Sequence, residues 1–443
     1  MDKKRFVSIG LAIALGLLVY FSDFGLPADA QGVIVVTVVA CVLWISEVIP
    51  LHVTSLIVAF LLATLVKIPE KDVFYPFFDP VIALLLGGFV LAIALQKYGL
   101  DIKIAHIVIK RTGSTPGMFM FGIMALTVFI SLWVSNTATA ATILPIAIAA
   151  LVASKIKKGD NYAKALVLGV ACSATIGGMG TIIGSTPNVI VASFLAKEGI
   201  KMNFVSWLYY ALPFTVIMLP VSWFVLRRLF KSDVSSLKVK KYDGNHDPYS
   251  QKLVMIIFAI TVILWATDRV HGISNSVVAL VPIFLLYIFK LLSIEDFSKV
   301  DWASLILFGG GLSLGSAIHS TGLDLTLAEV LKAALNSMPI FVIFFCIAAF
   351  GTFLTAFISN TVAASLLIPI MLPLSRSLGL DVTSLGMLAA LGVSLDFILP
   401  VGTPPGMMAY SSGYIKIWDM VKSGLIISTI GLLILASLAY LYW

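Results

Sequence analysis

Charge is what this sequence has least of. Asp, Glu, Lys and Arg make up 12% of its 443 residues, while hydrophobic residues make up 60%. A water-soluble chain of this length could not bury that much apolar surface. Apolar runs of about 17–25 residues recur, each near the length a helix needs to cross a bilayer. The runs are continuous rather than alternating, which excludes a membrane β-barrel. Cysteine is nearly missing too: Cys41, Cys172 and Cys346 all lie within apolar runs, so there is no disulfide framework and no metal site. The histidines His52, His106, His246, His271 and His319 share no metal-ligand spacing. There is no HExxH motif and no aspartate dyad, and GGMGTIIGS lacks the lysine of a phosphate loop. An intramembrane enzyme is therefore left without its chemistry.

The net charge of +7 comes from Lys and Arg in short loops between apolar runs. It points to membrane orientation rather than to a nucleic-acid partner. Lys3, Lys4, Arg5, an apolar run to Phe21 and Ala28-Asp29-Ala30 resemble a signal peptide; the segment is expected to stay as a first membrane helix. The runs predict an all-α polytopic membrane protein with crossings at 6–22, 32–49, 51–67, 80–97, 163–197 (broken), 206–230, 252–270, 275–290, 302–320, 384–417 (broken) and 419–442, eleven transmembrane helices in all. Two further regions, 116–153 and 339–378, are too long for one helix and too interrupted for two ordinary spans. Each reads as a re-entrant hairpin, since non-helical backbone at membrane depth must be covered by protein or line a cavity. With the N-terminus cytoplasmic and the C-terminus extracytoplasmic, 22 of the 29 Lys and Arg residues fall in inner loops, many of them in 227–252.

The chain repeats itself. LLLGGFVLAIALQKYGLD at 84–101 aligns with LFGGGLSLGSAIHSTGLD at 307–324, VSNTATAATILP at 134–145 with ISNTVAASLLIP at 358–369, and Thr186-Pro187 with Thr403-Pro404. An N-terminal helix and outer loop (1–31) thus precede repeat 1 (32–230: scaffold helices 32–112, hairpin 116–153, broken helix 163–197, helix 206–230). A cytoplasmic linker (231–251) leads to repeat 2 (252–443: scaffold helices 252–335, hairpin 339–378, broken helix 384–417, helix 419–442). Five crossings per repeat is an odd number, so the copies are expected in inverted topology, the arrangement of secondary transporters. The amphipathic stretches 101–111 and 324–335 are expected along the membrane interface.

The polar residues cluster where the repeats match. Ser, Asn and Thr are favoured helix N-caps, so each Ser-Asn-Thr triplet is expected to start a hairpin's returning arm with free N–H groups, an end that favours anions. Hydroxyls, amide oxygen and unwound carbonyls are hard ligands suited to a cation such as Na⁺. The glycines and prolines of GGMGTIIGSTPNV (177–189) and LPVGTPPGMMAYSSG (399–413) are expected to unwind the broken helices near Gly184-Ser185-Thr186 and Gly402-Thr403. Segments 116–153, 165–196, 339–375 and 385–415 contain no Lys or Arg. A dianion bound there has no fixed cation, and helix ends of about half a charge cannot replace one in a dry site. Two bound Na⁺ would neutralise it.

SLWVSNTATAATILP, ISNTVAASLLIP, WISEVIP and LPVGTPPGMMAYSSG resemble the signature segments of the divalent anion:sodium symporter family, and the similarity spans essentially the whole chain. The resemblance implies a homodimer embedded in membrane lipid, with a scaffold and an elevator-like transport domain, and Na⁺-driven uptake of di- or tricarboxylates, less often sulfate. Ser131, Ser135, Asn136 and Gly184 match the family's first Na⁺ site. Thr355, Ser359, Asn360 and Gly402 match the second. Asn136, Thr137, Ser185, Asn360, Thr361 and Thr403 match positions facing substrate carboxylates, with Pro187 and Pro404 in the turns.

The family's turns carry Pro-Pro-Asn; here they read Thr186-Pro187-Asn188 and Pro404-Pro405-Gly406. Asp396 stands where a small neutral residue is expected, and an intramembrane carboxylate points to function. It reads as a cation ligand, a protonated group coupled to H⁺, or a buried acid bonded to neighbouring hydroxyls or backbone. Glu47 is expected to order a helix end and His319 to be structural. The leading function is Na⁺-coupled symport of a C4 dicarboxylate such as succinate, malate or fumarate. A Na⁺-independent dicarboxylate exchanger and a Na⁺/sulfate symporter are the alternatives on the same fold.

Overall fold

The computed structural model describes residues 3–104, 115–237, 247–400 and 402–443, apart from the side chains of Lys3 and Lys4. Every regular element among them is helical. Residues 105–111 of the stretch expected at the interface over 101–111, the linker residues 238–246, and His106 and His246 lie outside the described residues.

Several of the acids cap helices. Asp79, Asp160, Asp247, Asp301 and Asp381 each accept a backbone N–H at the first turn of Pro80–Lys97, Asn161–Met179, Pro248–Ala266, Trp302–Ser320 and Val382–Gly392. A carboxylate there satisfies donors that the helix leaves unpaired. Glu47 ends Ala28–Ser46 in a left-handed conformation, its N–H bonded to the Leu43 carbonyl, so it does order a helix end. His319 Nδ1 lies 2.7 Å from Asp324 Oδ2, a structural pairing.

Among the described residues, eight helices have the length and hydropathy to cross a membrane. The returning arm of the first hairpin, Asn136–Ala153, is one of them. Of the other crossings expected, Leu51–Thr64 is shorter, and the one over 275–290 is divided into Asn275–Val278 and Leu280–Ile288. Pro282 explains the division, because it lacks the N–H that would pair with the Val278 carbonyl.

The two halves of the chain interlock through small residues. A Cβ on Gly87 would collide with the backbone of Ala279, and one on Gly310 with the side chain of Ser55. Pro80–Lys97 thus lies directly on the second half of the chain, and Trp302–Ser320 on the first, by the close approach that glycine permits between membrane helices. Asp101 and Asp324, which match in the alignment, are both buried, and each accepts the N–H of the next residue at 2.8 Å. The same reciprocity holds at the centre. Thr186–Lys197 packs on the second hairpin's arm Asn360–Ser377, and Pro404–Ser411 packs on the first hairpin's arm Asn136–Ala153.

Candidate functional site

The first tip is built by Ser135. Its backbone is extended (φ −53°, ψ 146°), and its side chain accepts from the Ala138 N–H at 3.3 Å, starting the helix at Asn136. Ser131, at the end of the incoming arm, is fully buried; its Oγ lies 2.9 Å from Asn136 Oδ1 and 2.6 Å from the Ala174 carbonyl. One hydroxyl proton serves two acceptors, so three oxygens converge around it. That donor set suits a hard cation.

The second tip repeats the construction. Ser359 (φ −62°, ψ 145°) accepts from the Val362 N–H and starts the helix at Asn360. Buried Thr355 donates to Asn360 Oδ1, and its Oγ1 lies 3.5 Å from the Ile358 carbonyl. In both tips a hydroxyl five residues before the asparagine holds the amide oxygen.

The broken helices meet these tips. The first consists of Asn161–Met179 and Thr186–Lys197, with Ser185 extended before the second half. Asn188 Nδ2 donates to the carbonyls of Gly178 and Thr181, at 2.8 and 2.7 Å, and braces the break. Trp207 Nε1 donates to the Met179 carbonyl at 3.0 Å, and Thr181 donates to the Leu132 carbonyl in the tip. A Cβ on Gly178 would collide with Asn136 Oδ1, and one on Gly184 would stand 2.6 Å from the Gly178 carbonyl. Gly184, Gly178, Asn136 and Ser131 therefore form one contiguous set.

The second break runs from Val382–Gly392 to Pro404–Ser411, where Thr403 accepts from the Gly406 N–H at 3.3 Å. Ser185 and Thr403 are the corresponding caps. This register matches Gly184 with Gly402 and Asn188 with Gly406, one residue away from the Thr186-Pro187/Thr403-Pro404 alignment. A Cβ on Gly402 would collide with Asp396 Oδ2 and stand 3.0 Å from the Thr355 carbonyl. Asp396 is 1% exposed, and neither carboxylate oxygen has a hydrogen-bond partner among the described residues. The N–H groups of Ile398 and Leu399 lie close by, outside hydrogen-bond geometry. These two backbone N–H groups are the neighbours that the reading of Asp396 as a bonded acid calls for.

One direct polar link joins the repeats here: Thr186 Oγ1 and Thr361 Oγ1 are 2.5 Å apart, at the starts of Thr186–Lys197 and Asn360–Ser377. Ser135, Asn136, Ser185, Thr186, Ser359 and Asn360 are half-buried, Thr361 and Thr403 are buried, and Thr137 and Pro404 are exposed. Pro187 is buried in the first turn. Thr186, Gly178 and Asn188 had not been singled out as site residues. The paired glycines 177–178 are the only sequence signal for this approach, because the contacts join segments far apart in the chain.

The ion pairs found among the described residues involve none of these residues: Lys97 and Lys299 with Asp296, Lys164 with Asp419, Arg376 with Glu198, Lys332 with Glu329, and His319 with Asp324. Burial opposes the charge of Asp296, but Lys299, Lys97 and the Ser293 N–H outweigh it and hold the carboxyl well below its usual range. No group of three or more His, Cys, Asp or Glu side chains that could hold a metal occurs among the described residues.

Over residues 3–443 the chain matches the family described as the sodium:sulfate symporter transmembrane region. It is 32% identical to a transporter of Haemophilus influenzae over 453 residues, covering 98% of this chain and 97% of the relative. It is 30% identical to the sodium-dependent dicarboxylate transporter SdcS of Staphylococcus saprophyticus, covering 97% and 89%. Two solved structures share the fold. The Neisseria gonorrhoeae MtrF structure has a TM-score of 0.61 at 14% identity, covering 97% of each chain. The Alcanivorax borkumensis YdaH structure has a TM-score of 0.57 at 15% identity, covering 82% and 84%. The chain is a polytopic membrane transporter and belongs to the sodium:sulfate symporter family, the divalent anion:sodium symporters.

Proposed function

We propose that the protein is a Na⁺-coupled symporter that brings C4 dicarboxylates such as succinate, malate or fumarate into the cell. One observation carries the reading. Two hairpin tips repeat the same hydroxyl–amide oxygen pair, Ser131–Asn136 and Thr355–Asn360, in segments with no Lys or Arg. A dianion held there by Asn136, Thr137, Ser185, Asn360, Thr361 and Thr403 needs positive charge from outside the chain. Na⁺ at Ser131, Ser135, Asn136 and Gly184, and at Thr355, Ser359, Asn360 and Gly402, supplies it. The cation sites form before the dianion is held, and that dependence couples the two cargoes. The resemblance to a sodium-dependent dicarboxylate transporter supports the choice of substrate.

Transport proceeds by an elevator movement of the hairpins and broken helices against the scaffold helices, in a homodimer with eleven crossings, two re-entrant hairpins and inverted repeats. The N-terminus is cytoplasmic and the C-terminus extracytoplasmic, in the cell membrane. The reciprocal packing of matching elements supports the repeat, and the excess of Lys and Arg in inner loops supports the orientation. Labelled succinate uptake into proteoliposomes, with competition by sulfate, tests the reading. Na⁺-dependent succinate uptake that excess sulfate leaves intact is expected; no succinate uptake, with Na⁺-dependent uptake of labelled sulfate in its place, would make the anion sulfate.

A further inference from the structure

Across 116–153, 165–196, 339–375 and 385–415 the sequence holds a single charged residue, Asp396. We propose that Asp396 is a ligand of the cation at the second tip, giving that site a fixed negative charge which the first lacks. The inference rests on the Na⁺-coupled reading and deepens it by making the two cation sites chemically unequal; with the carboxylate counted, two Na⁺ offset only half of the dianion's charge.

The register of the two breaks carries the argument. Gly184 and Gly402 correspond, and so do Gly178 and Asp396, and Asn188 and Gly406. In the first repeat, position 178 has no side chain, and the neutral amide of Asn188 reaches back to the Gly178 and Thr181 carbonyls. In the second repeat the side chains are exchanged: Gly406 reaches nothing, and a carboxylate stands at 396. Asp396 Oδ2 fills the space beside Gly402, next to the Thr355 carbonyl, while the Thr355 hydroxyl holds Asn360 Oδ1. The carboxylate thus lies against the residues assigned to the second cation. It is 1% exposed, and the N–H groups of Ile398 and Leu399 lie close by without reaching hydrogen-bond geometry. A buried charge without a hydrogen bond is costly, and a bound cation removes that cost. The first repeat's unpartnered oxygen, Asn188 Oδ1, is neutral by contrast. The second site therefore fills without the dianion, whereas the first is completed only by neutral oxygens.

The test follows thermal unfolding of the purified full chain in detergent as NaCl replaces choline chloride at constant ionic strength, with no dicarboxylate present. Ligand binding to the folded chain raises its melting temperature. The wild-type chain is expected to be stabilised by Na⁺. Asp396→Asn is expected to melt higher than wild type without Na⁺ and to need about tenfold more Na⁺ for half its stabilisation, tenfold being a 1.4 kcal/mol loss. If Asp396→Asn does not fold, Asp396→Gly with Gly406→Asn rebuilds the first repeat's bracing, and the same loss of Na⁺ response is expected. Asp396→Asn that melts lower than wild type and keeps its Na⁺ response overturns this proposal alone. A wild-type chain that Na⁺ does not stabilise beyond choline overturns the Na⁺-coupled reading as well.

Discussion

Gly178→Ala separates the first cation site from the fold around it. A Cβ at this position would collide with Asn136 Oδ1, with Asn136 Cγ and Nδ2 at 2.8 Å. Ordinary carbon contacts lie at about 3.5–4.0 Å, so the amide has to retreat by roughly 1 Å. The atoms in the way belong to the end of a side chain at a half-buried tip, so the backbone is expected to hold. The 2.9 Å contact between Ser131 and Asn136 is then lost, at about 1 kcal/mol. With the ligand displaced as well, a total of about 1–2 kcal/mol corresponds to a factor of about 5–30 in Na⁺ affinity. Reconstituted transporter would be assayed for succinate uptake over a range of Na⁺ concentrations, and its melting temperature recorded. Half-saturating Na⁺ is expected to rise by that factor with little change in melting temperature. Gly177→Ala is the contrast, because its Cβ would collide with the Val128 backbone carbonyl and stand 2.8 Å from Val128 Cα. That variant is expected to lose stability. Unchanged Na⁺ dependence in folded Gly178→Ala would refute the placement of Asn136 in a cation site.

Three other perturbations read different parts of the structure. Thr186→Val and Thr361→Val each break the hydroxyl contact between the repeats, and a double-mutant cycle on succinate KM should give a coupling of about 1 kcal/mol; additive effects would mean the contact is idle. Asp296 has its carboxyl pKa depressed by Lys299 and Lys97 against the effect of burial. Its stabilisation is therefore present above the unfolded value of about 3.9 and lost as pH falls through the lower folded value. The lysines are 37% and 63% exposed, so Asp296→Asn should cost about 1–2 kcal/mol at pH 7, with a melting temperature that falls less than wild type's on acidification below pH 4; parallel acid profiles would count against it. Gly310→Ala forces a Cβ into Ser55 and should destabilise by about 1–3 kcal/mol, whereas Gly10→Ala meets nothing within 4 Å and should be neutral in the same unfolding assay.

Much of this arrangement was legible because membrane helices announce themselves by length, and because the chain states its polar tips twice. Ser135 and Ser359 are caps as their residue type predicts, and the first break falls at its glycine–proline segment, whereas the second already opens at Val393, ahead of the expected 399–413. The Ser131–Asn136 and Thr355–Asn360 pairs were not legible as contacts, since a five-residue spacing across a tip has no helical or strand period. The exchange of side chains between Gly178/Asn188 and Asp396/Gly406 was hidden by aligning Thr-Pro with Thr-Pro. Only the caps, Ser185 and Thr403, fix the register. Thr186 read as part of a turn, and its partner Thr361 lies 175 residues away. The division of the crossing over 275–290 had a local signal in Pro282, yet the apolar run around it is unbroken. Hydropathy counts side chains and does not register a missing N–H.

The central claim is that external cations supply the charge the tips lack. Labelled succinate uptake into proteoliposomes holding the purified chain, with an inward Na⁺ gradient or with choline in its place, tests it most directly. The account predicts accumulation with Na⁺ and none with choline. Equal uptake in choline that requires only a dicarboxylate trapped inside would identify an exchanger and contradict the charge balance drawn from the two tips.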